Sequence, residues 1–492
     1  MAKRCGGAAQ NCVWSGNVAE KVCSEMSWLA DMYMVDVIVE GHFERLPSSW
    51  RSLKHFTVGQ WARILDIGRG LSWPTTSRTR DPPPLSVLCL RKLAANLSSM
   101  ACPKSESSLR NLASFLGVSL QELNGHFTPP KYDTRGVKEK KRGELDNVAG
   151  LVNGMRARHS FGLLLDVGAG LGHLSRLLAQ SCADLRVRAV DANEALVLKA
   201  RKIDERTMPA ETDKLQRHVC FISEKNENNV IPDGVESNGG VCMLGLHACG
   251  DLSSSILRCS SSASHASAVL SFGCCYHKLN GGKDKPHQQQ WHSENLECKD
   301  EMAEVPPGFP LSHRFSTASL SYAARELACH SLAAFVRNIN SKPSDHVHHA
   351  RRAVAEWLIV RAGGTRHLGL RSLPRPSGEE DRDKALDFPL YLSHALQSHP
   401  DTLARVHQLL SSEDPAVTGS ALQRQLADFE SKSLALYCLR LLLAPFVECL
   451  ILEDRRSFLE ENGFDALIHP LFDPLKSPRN CAVIGFRKRI PI

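Results

Sequence analysis

The sequence is poor in aromatic residues, which fill 6% of its 492 positions, and it lacks a marked excess of either charge. Lys and Arg number 60 against 53 Asp and Glu, a formal net charge of +7. A dedicated nucleic-acid binder usually carries a stronger, clustered excess, so this balance permits a polyanionic partner without arguing for one. No Cys-x-x-Cys pair occurs among the 17 cysteines, which are scattered along the chain. The first residues, Met1 to Gly7, lack the apolar core of a secretory signal. Reduced thiols in the cytosol or nucleus, and a soluble protein, are therefore the expectation. The 33 Gly and 25 Pro follow no fixed period, which excludes a collagen-like repeat, and 42% hydrophobic residues is too many for a disordered chain. A chain of this length exceeds one ordinary hydrophobic core, so two or three packed units are expected.

One long apolar stretch is present, Leu434 to Leu452. Its length is about that of a bilayer span, but Arg440 and Glu448 lie inside it and Pro445 interrupts it. Charges at mid-bilayer are costly, so a buried helix kinked near Pro445 is expected and no membrane partner.

The first third reads as helical. Val22, Met26, Leu29, Tyr33 and Val37 share one face at helical spacing. Residues 131–142 turn polar and basic and read as a solvated connector, which bounds a helical N-terminal region over 1–130. From Phe161 short apolar runs alternate with helical segments. Strands are expected at Leu163–Leu165, Arg186–Val190, His218–Ile222, Val241–Leu246 and Ala268–Phe272. Alternation of this kind predicts a doubly wound α/β fold with a parallel sheet. The core is placed at 131–340 and a helical insertion at 341–463. A terminal hairpin at 464–492 adds to the sheet edge.

The strongest motif is Leu165-Asp166-Val167-Gly168-Ala169-Gly170-Leu171-Gly172-His173, set between a strand and a helix. A dinucleotide fingerprint would need Gly at position 173, where His stands. The pattern is Asp-x-Gly-x-Gly-x-Gly, typical of class I S-adenosylmethionine-dependent methyltransferases with a Rossmann-like sheet. Asp166 just before the turn suits a ligand ammonium and would repel a pyrophosphate. Asp191 closes the second strand, where an acid accepts from both ribose hydroxyls. Asp166, Gly168, Ala169, Gly170, Gly172, Asp191 and His247 are thus the expected contacts to S-adenosylmethionine. Asp66-Ile67-Gly68-Arg69-Gly70 copies the motif superficially and reads as a loop.

Two further blocks close the fourth and fifth strands, Gly245-Leu246-His247-Ala248-Cys249-Gly250-Asp251-Leu252 and Gly273-Cys274-Cys275-Tyr276-His277. Strand ends in this topology face the ligand crevice, so His247, Asp251, Tyr276 and His277 are the candidates for the acceptor side. Methyl transfer is an in-line displacement that needs alignment, and a hydroxyl acceptor also needs a base near neutral pH, which suits His247 or His277. A zinc site from His247, Cys249, Cys274, Cys275 and His277 is not expected. Neighbouring cysteines on an extended segment point to opposite faces, and these spacings match no common zinc module.

These blocks resemble the methyltransferase-like protein 25 family, including relatives named for an rRNA adenine dimethylase domain. The resemblance runs through Leu46 to Trp50, the Asp166 turn, Gly245 to Leu252, Gly273 to Tyr276, Leu327 to His330 and Ser477 to Asn480. That family usually carries Pro-Lys-Lys-x-His-Glu in its connector; here Glu139-Lys140-Lys141-Arg142-Gly143-Glu144 lacks the Pro and the His. The His-x-Cys-Gly and Cys-Cys-x-His pair is also similar to eukaryotic tRNA 2′-O-methyltransferases. The resemblance implies a methyltransferase acting on RNA, whether rRNA or tRNA. A protein acceptor, or a methyltransferase fold that binds without catalysing, remains open.

Overall fold

The computed structural model describes residues 6–68, 82–99, 105–126, 137–159, 161–182, 184–208, 213–222, 240–282, 306–341, 347–370, 388–417 and 420–488. Its centre is a seven-stranded sheet in the order β3-β2-β1-β4-β5-β7-β6. The strands are β1 (Leu163–Val167), β2 (Arg186–Asp191), β3 (Leu215–Val219), β4 (Val241–Ala248), β5 (Ala266–Gly273), β6 (Phe464–Pro470) and β7 (Cys481–Arg487). The first five pair in parallel, and the terminal hairpin joins antiparallel, with β7 between β5 and β6. This is the Rossmann-like α/β arrangement expected from the alternation of strands and helices. The order reverses between β1 and β4, so a crevice opens at their C-terminal ends.

Period-two alternation divides the sheet's side chains between two cores. Leu164, Val187, Cys242, Leu244, Leu270 and Phe486 pack against helices Glu106–Leu116, Glu139–Arg158 and His173–Ser181. Leu163, Leu165, Val241, Met243 and Val269 face the opposite way, onto helices Leu252–Ser262 and Ala444–Glu461. β1 is buried at every position, which is why it reads as a continuous apolar run rather than an alternation.

A third core joins segments far apart in sequence. Leu29, Phe43, Trp61 and Val87 pack with Phe315, Leu327, Leu436, Leu439 and Phe446. The boundaries drawn at 130 and 341 therefore cut across cores: the N-terminal helices share one with the helices near residue 440, and helix Glu106–Leu116 belongs to the sheet. Val354, Leu358, Leu392 and Val406 form a smaller fourth cluster.

The apolar stretch at Leu434 is the spine of that third core. Helices Ser420–Leu441 and Ala444–Glu461 meet at a break over Leu442 and Leu443, with Pro445 in the first turn of the second helix. Together they are long and apolar enough to cross a membrane, yet 83% of the most apolar window is buried inside the fold. Its charges are partnered there: Arg440 donates to the carbonyls of Ala30 and Ala323 at 3.3 and 2.7 Å, and Glu448 lies 3.4 Å from Arg479.

Two local readings change, and a third falls partly outside the described residues. The connector is helical from Glu139, so its basic residues Lys140, Lys141 and Arg142 form the first turn of a helix; Lys131 and Arg135 lie outside the described residues. The first helix ends at Glu25, before the face from Val22 to Val37 is complete. Of the Asp66 loop, residues from Arg69 lie outside the described residues.

Candidate functional site

The turn after β1 is built from left-handed glycines, with φ of 72° at Gly168, 55° at Gly170 and 70° at Gly172. The backbone N–H groups of Gly168 and Ala169 donate to the Val190 carbonyl at 2.8 and 3.1 Å, which ties the turn to the end of β2. The Gly170 N–H donates to Asp191 Oδ2 at 2.8 Å, and the Asn193 N–H donates to Oδ1 at 2.9 Å. The carboxylate thus stands beside the turn with further lone pairs to offer. A Cβ on Gly170 would meet nothing within 4 Å, so the turn borders open space. A Cβ on Gly172 would press on the Arg217 guanidinium, in addition to the left-handed φ that favours glycine there.

Asp166 is placed differently from the expectation. Asp166 is 2% exposed and accepts from the Ser175 hydroxyl at 2.5 Å, so it is buried against the helix that follows the turn. Burial pushes its pKa up to about 6, against the lowering effect of that hydrogen bond. It braces the turn.

On the acceptor side, β4 bends at His247, whose φ of 61° breaks the register with β5 between Gly245 and Ala248. Strain of this kind in a non-glycine residue gathers at functional sites. The bend brings Nε2 of His247 to 3.0 Å from Glu144 Oε2, a residue 103 positions earlier in the chain. Ser477 donates to the other Glu144 oxygen at 2.6 Å, and Lys141 and Lys140 stand 3.5 and 4.0 Å from the same carboxylate. Burial raises the Glu144 pKa, but the bonds from His247 and Ser477 outweigh it and hold the group at about 2. An ionised carboxylate only accepts, so Nε2 is the nitrogen that carries a proton toward Glu144, and in the tautomer this selects Nδ1 keeps its lone pair. The His247 side chain is 38% exposed.

The remaining candidates are engaged in structure. Asp251 accepts the Asn280 and Gly281 N–H groups at 2.9 and 2.7 Å, clamping the loop after β5. Tyr276 is 2% exposed, its hydroxyl 3.5 Å from Glu448 and its ring beneath Arg455. Burial pushes the Tyr276 pKa well above its ordinary value, so it is no base and is closed off from the crevice. His277 sets Nδ1 3.5 Å from Cys329 Sγ and its ring edge against Tyr322. Of the four acceptor-side candidates, His247 stands at the end of β4 with its ring against the buried Glu144 carboxylate.

The thiols gather instead of diverging. β5 ends at Gly273, and the chain turns into a short helix, Tyr276–Gly282, so strand alternation no longer governs Cys274 and Cys275. The sulfurs of Cys249 and Cys274 are 2.9 Å apart, those of Cys274 and Cys275 3.6 Å, and all three lie within 4.8 Å of one another. The hydrogen bond from Cys274 pulls the Cys249 thiol down to about 6 against the effect of burial, while the same contact pushes Cys274 up.

Residues 140–282 match the family model described as a methyltransferase domain, an interval that contains the glycine turn, the His247–Glu144 pair and all three thiols. The chain is similar to proteins named probable methyltransferase-like protein 25. It is 28% identical over 265 residues to the mouse (Mus musculus) protein named probable methyltransferase-like protein 25, covering 52% of this chain and 39% of that one. The match to the human (Homo sapiens) protein of that name is 25% over 326 residues, 62% of this chain and 47% of the other. The chain thus spans less than half the length of these relatives. Magnesium protoporphyrin IX methyltransferase from Synechocystis PCC 6803, solved with bound SAH, is 17% identical over 33% of this chain and 71% of that one. Its TM-score of 0.20 is too low to speak for the fold, which rests on the strand order itself.

Sequence reading passed over Glu144 and Ser477. Both stand inside blocks that carry the family resemblance, Glu144 as the acid closing the connector pattern and Ser477 as the start of Ser-Pro-Arg-Asn. That was the available signal. Neither block says that Ser477 and His247 meet on the Glu144 carboxylate.

Proposed function

We propose that this chain is an S-adenosylmethionine-dependent methyltransferase with RNA as its acceptor. The observation that carries the donor reading is the open space above Gly170, bounded by an Asp191 carboxylate fixed to the turn. Gly168, Ala169 and Gly170 would receive the donor against bare backbone, and Asp191 would accept from its ribose hydroxyls. Bound there, S-adenosylmethionine supplies an electrophilic methyl group on a sulfonium.

On the acceptor side, His247 removes a proton through Nδ1, because Glu144 holds the tautomer from Nε2. Glu144 also balances the positive charge that forms on the ring. Lys140 and Lys141 flank this pair at the start of helix Glu139–Arg158, where the helix dipole adds positive potential. Phosphates of an RNA backbone suit that end of the crevice, and the Cys-Cys-x-His block adds its similarity to tRNA methyltransferases.

Two measurements test the reading. Calorimetry with S-adenosylhomocysteine should show binding that Asp191→Ala abolishes; binding of equal strength in the variant overturns the donor site. A tritiated-methyl assay on fractionated cell extract should put label in the RNase-sensitive fraction, and label in protein or none at all overturns the RNA acceptor.

A further inference from the structure

We infer that Cys249, Cys274 and Cys275 bind a zinc ion at the ends of β4 and β5. Three ligand atoms of one soft type meet within 4.8 Å, each half-buried, on the ends of two neighbouring strands. Tetrahedral zinc holds thiolates about 2.3 Å away, which sets sulfurs roughly 3.8 Å apart. Cys274 and Cys275 already stand at 3.6 Å, and the pair at 2.9 Å needs to open by less than the length of a bond. A disulfide would use two of the sulfurs and leave the third without a role. A metal uses all three.

The site is preorganised. Cys249 precedes helix Leu252–Ser262, whose N-terminal end favours a thiolate. The two cysteine-bearing loops are locked to each other by Asp251, through its bonds to Asn280 and Gly281. Gly250 lets them touch, since a Cβ there would lie 2.7 Å from the Lys278 side chain. Among the described residues, no fourth Cys, His or carboxylate completes the cluster. With these three ligands tetrahedral zinc has a fourth position for a further group, and zinc bound by three protein ligands polarises an oxygen, nitrogen or sulfur atom held there. His247 lies two residues before Cys249, so an acceptor atom on the metal would sit beside the proposed base. The metal count needs neither donor nor acceptor, so it is read independently of the methyltransferase reading.

The experiment takes the whole chain, purified reduced and without chelator. Elemental analysis should find about one zinc per chain. Replacing zinc with cobalt should give thiolate-to-cobalt charge-transfer absorption of an intensity set by three sulfurs, a measure that needs no variant. Cys274→Ser should remove about a third of that intensity and weaken zinc retention. Cys329→Ser, a half-buried cysteine outside the triangle, should change neither. Circular dichroism confirms that the variants are folded. No zinc bound after reconstitution of the reduced chain, a cobalt spectrum lacking thiolate bands, or a Cys249–Cys274 disulfide persisting in reductant overturns the inference.

Discussion

The pairing of His247 with Glu144 makes the most demanding prediction. Glu144→Gln keeps the shape and an acceptor oxygen for Ser477, but it removes the charge and turns an amide N–H toward His247. The ring would then accept at Nε2 and carry its proton on Nδ1, the position assigned to the base. Wrong-tautomer substitutions in histidine–carboxylate dyads of hydrolases lower turnover by up to about 10⁴. A loss of about 10²-fold or more in kcat, with donor binding unchanged, is expected here. Stability changes too. Holding a carboxyl at about 2 against its ordinary 4.5 corresponds to about 3 kcal/mol of charge-dependent stability. The sign follows from the depressed value: the contribution is whole above pH 4.5 and is lost as pH falls through about 2. The isosteric amide retains part of the bonding, so denaturant unfolding at pH 7 should show a deficit of about 1–3 kcal/mol that shrinks toward pH 2. A variant that turns over like the wild type, or whose deficit is the same at both pH values, refutes the reasoning.

Other expectations are simpler to read. Gly170→Ala enters open space at a strained φ and should cost about 1 kcal/mol of stability while weakening S-adenosylhomocysteine binding at least tenfold by calorimetry. Gly172→Ala meets the Arg217 guanidinium and should instead show as a fall of several degrees in thermal midpoint. Asp166 has a folded pKa raised to about 6, so wild-type stability should fall as pH rises from 3.8 through 6, and unfolding curves of Asp166→Asn should lose that slope. Tyr276→Phe removes a buried hydroxyl that faces Glu448 at 3.5 Å, so methyl transfer should stay within about threefold of wild type; a loss of 100-fold would return Tyr276 to the reacting centre.

The donor end of the site was legible in the sequence because its parts are local. A buried strand, three glycines, a helix and an acid at the end of the next strand follow one another within thirty residues, and parallel pairing of β1 with β2 then brings Asp191 to Gly170 without help from elsewhere. The acceptor end was legible only as residue types. His247 looked no different from His277, and Asp251 and Tyr276 carried suitable chemistry on suitable strand ends. Burial decided among them: Tyr276 went under Arg455, and Asp251 was taken up by two backbone N–H groups.

By itself, then, the sequence determined the strands, their alternation with helices and the glycine turn, since periodicity and backbone freedom act over a few residues at a time. Tertiary packing alone decided that Glu144 and Ser477 meet behind His247, that three thiols converge past the end of β5, and that N-terminal helices share a core with Leu436 and Phe446. Those contacts join positions a hundred or more residues apart, or lie where strand geometry has ended. No local pattern encodes them, because the energy that selects them comes from close packing of the finished fold.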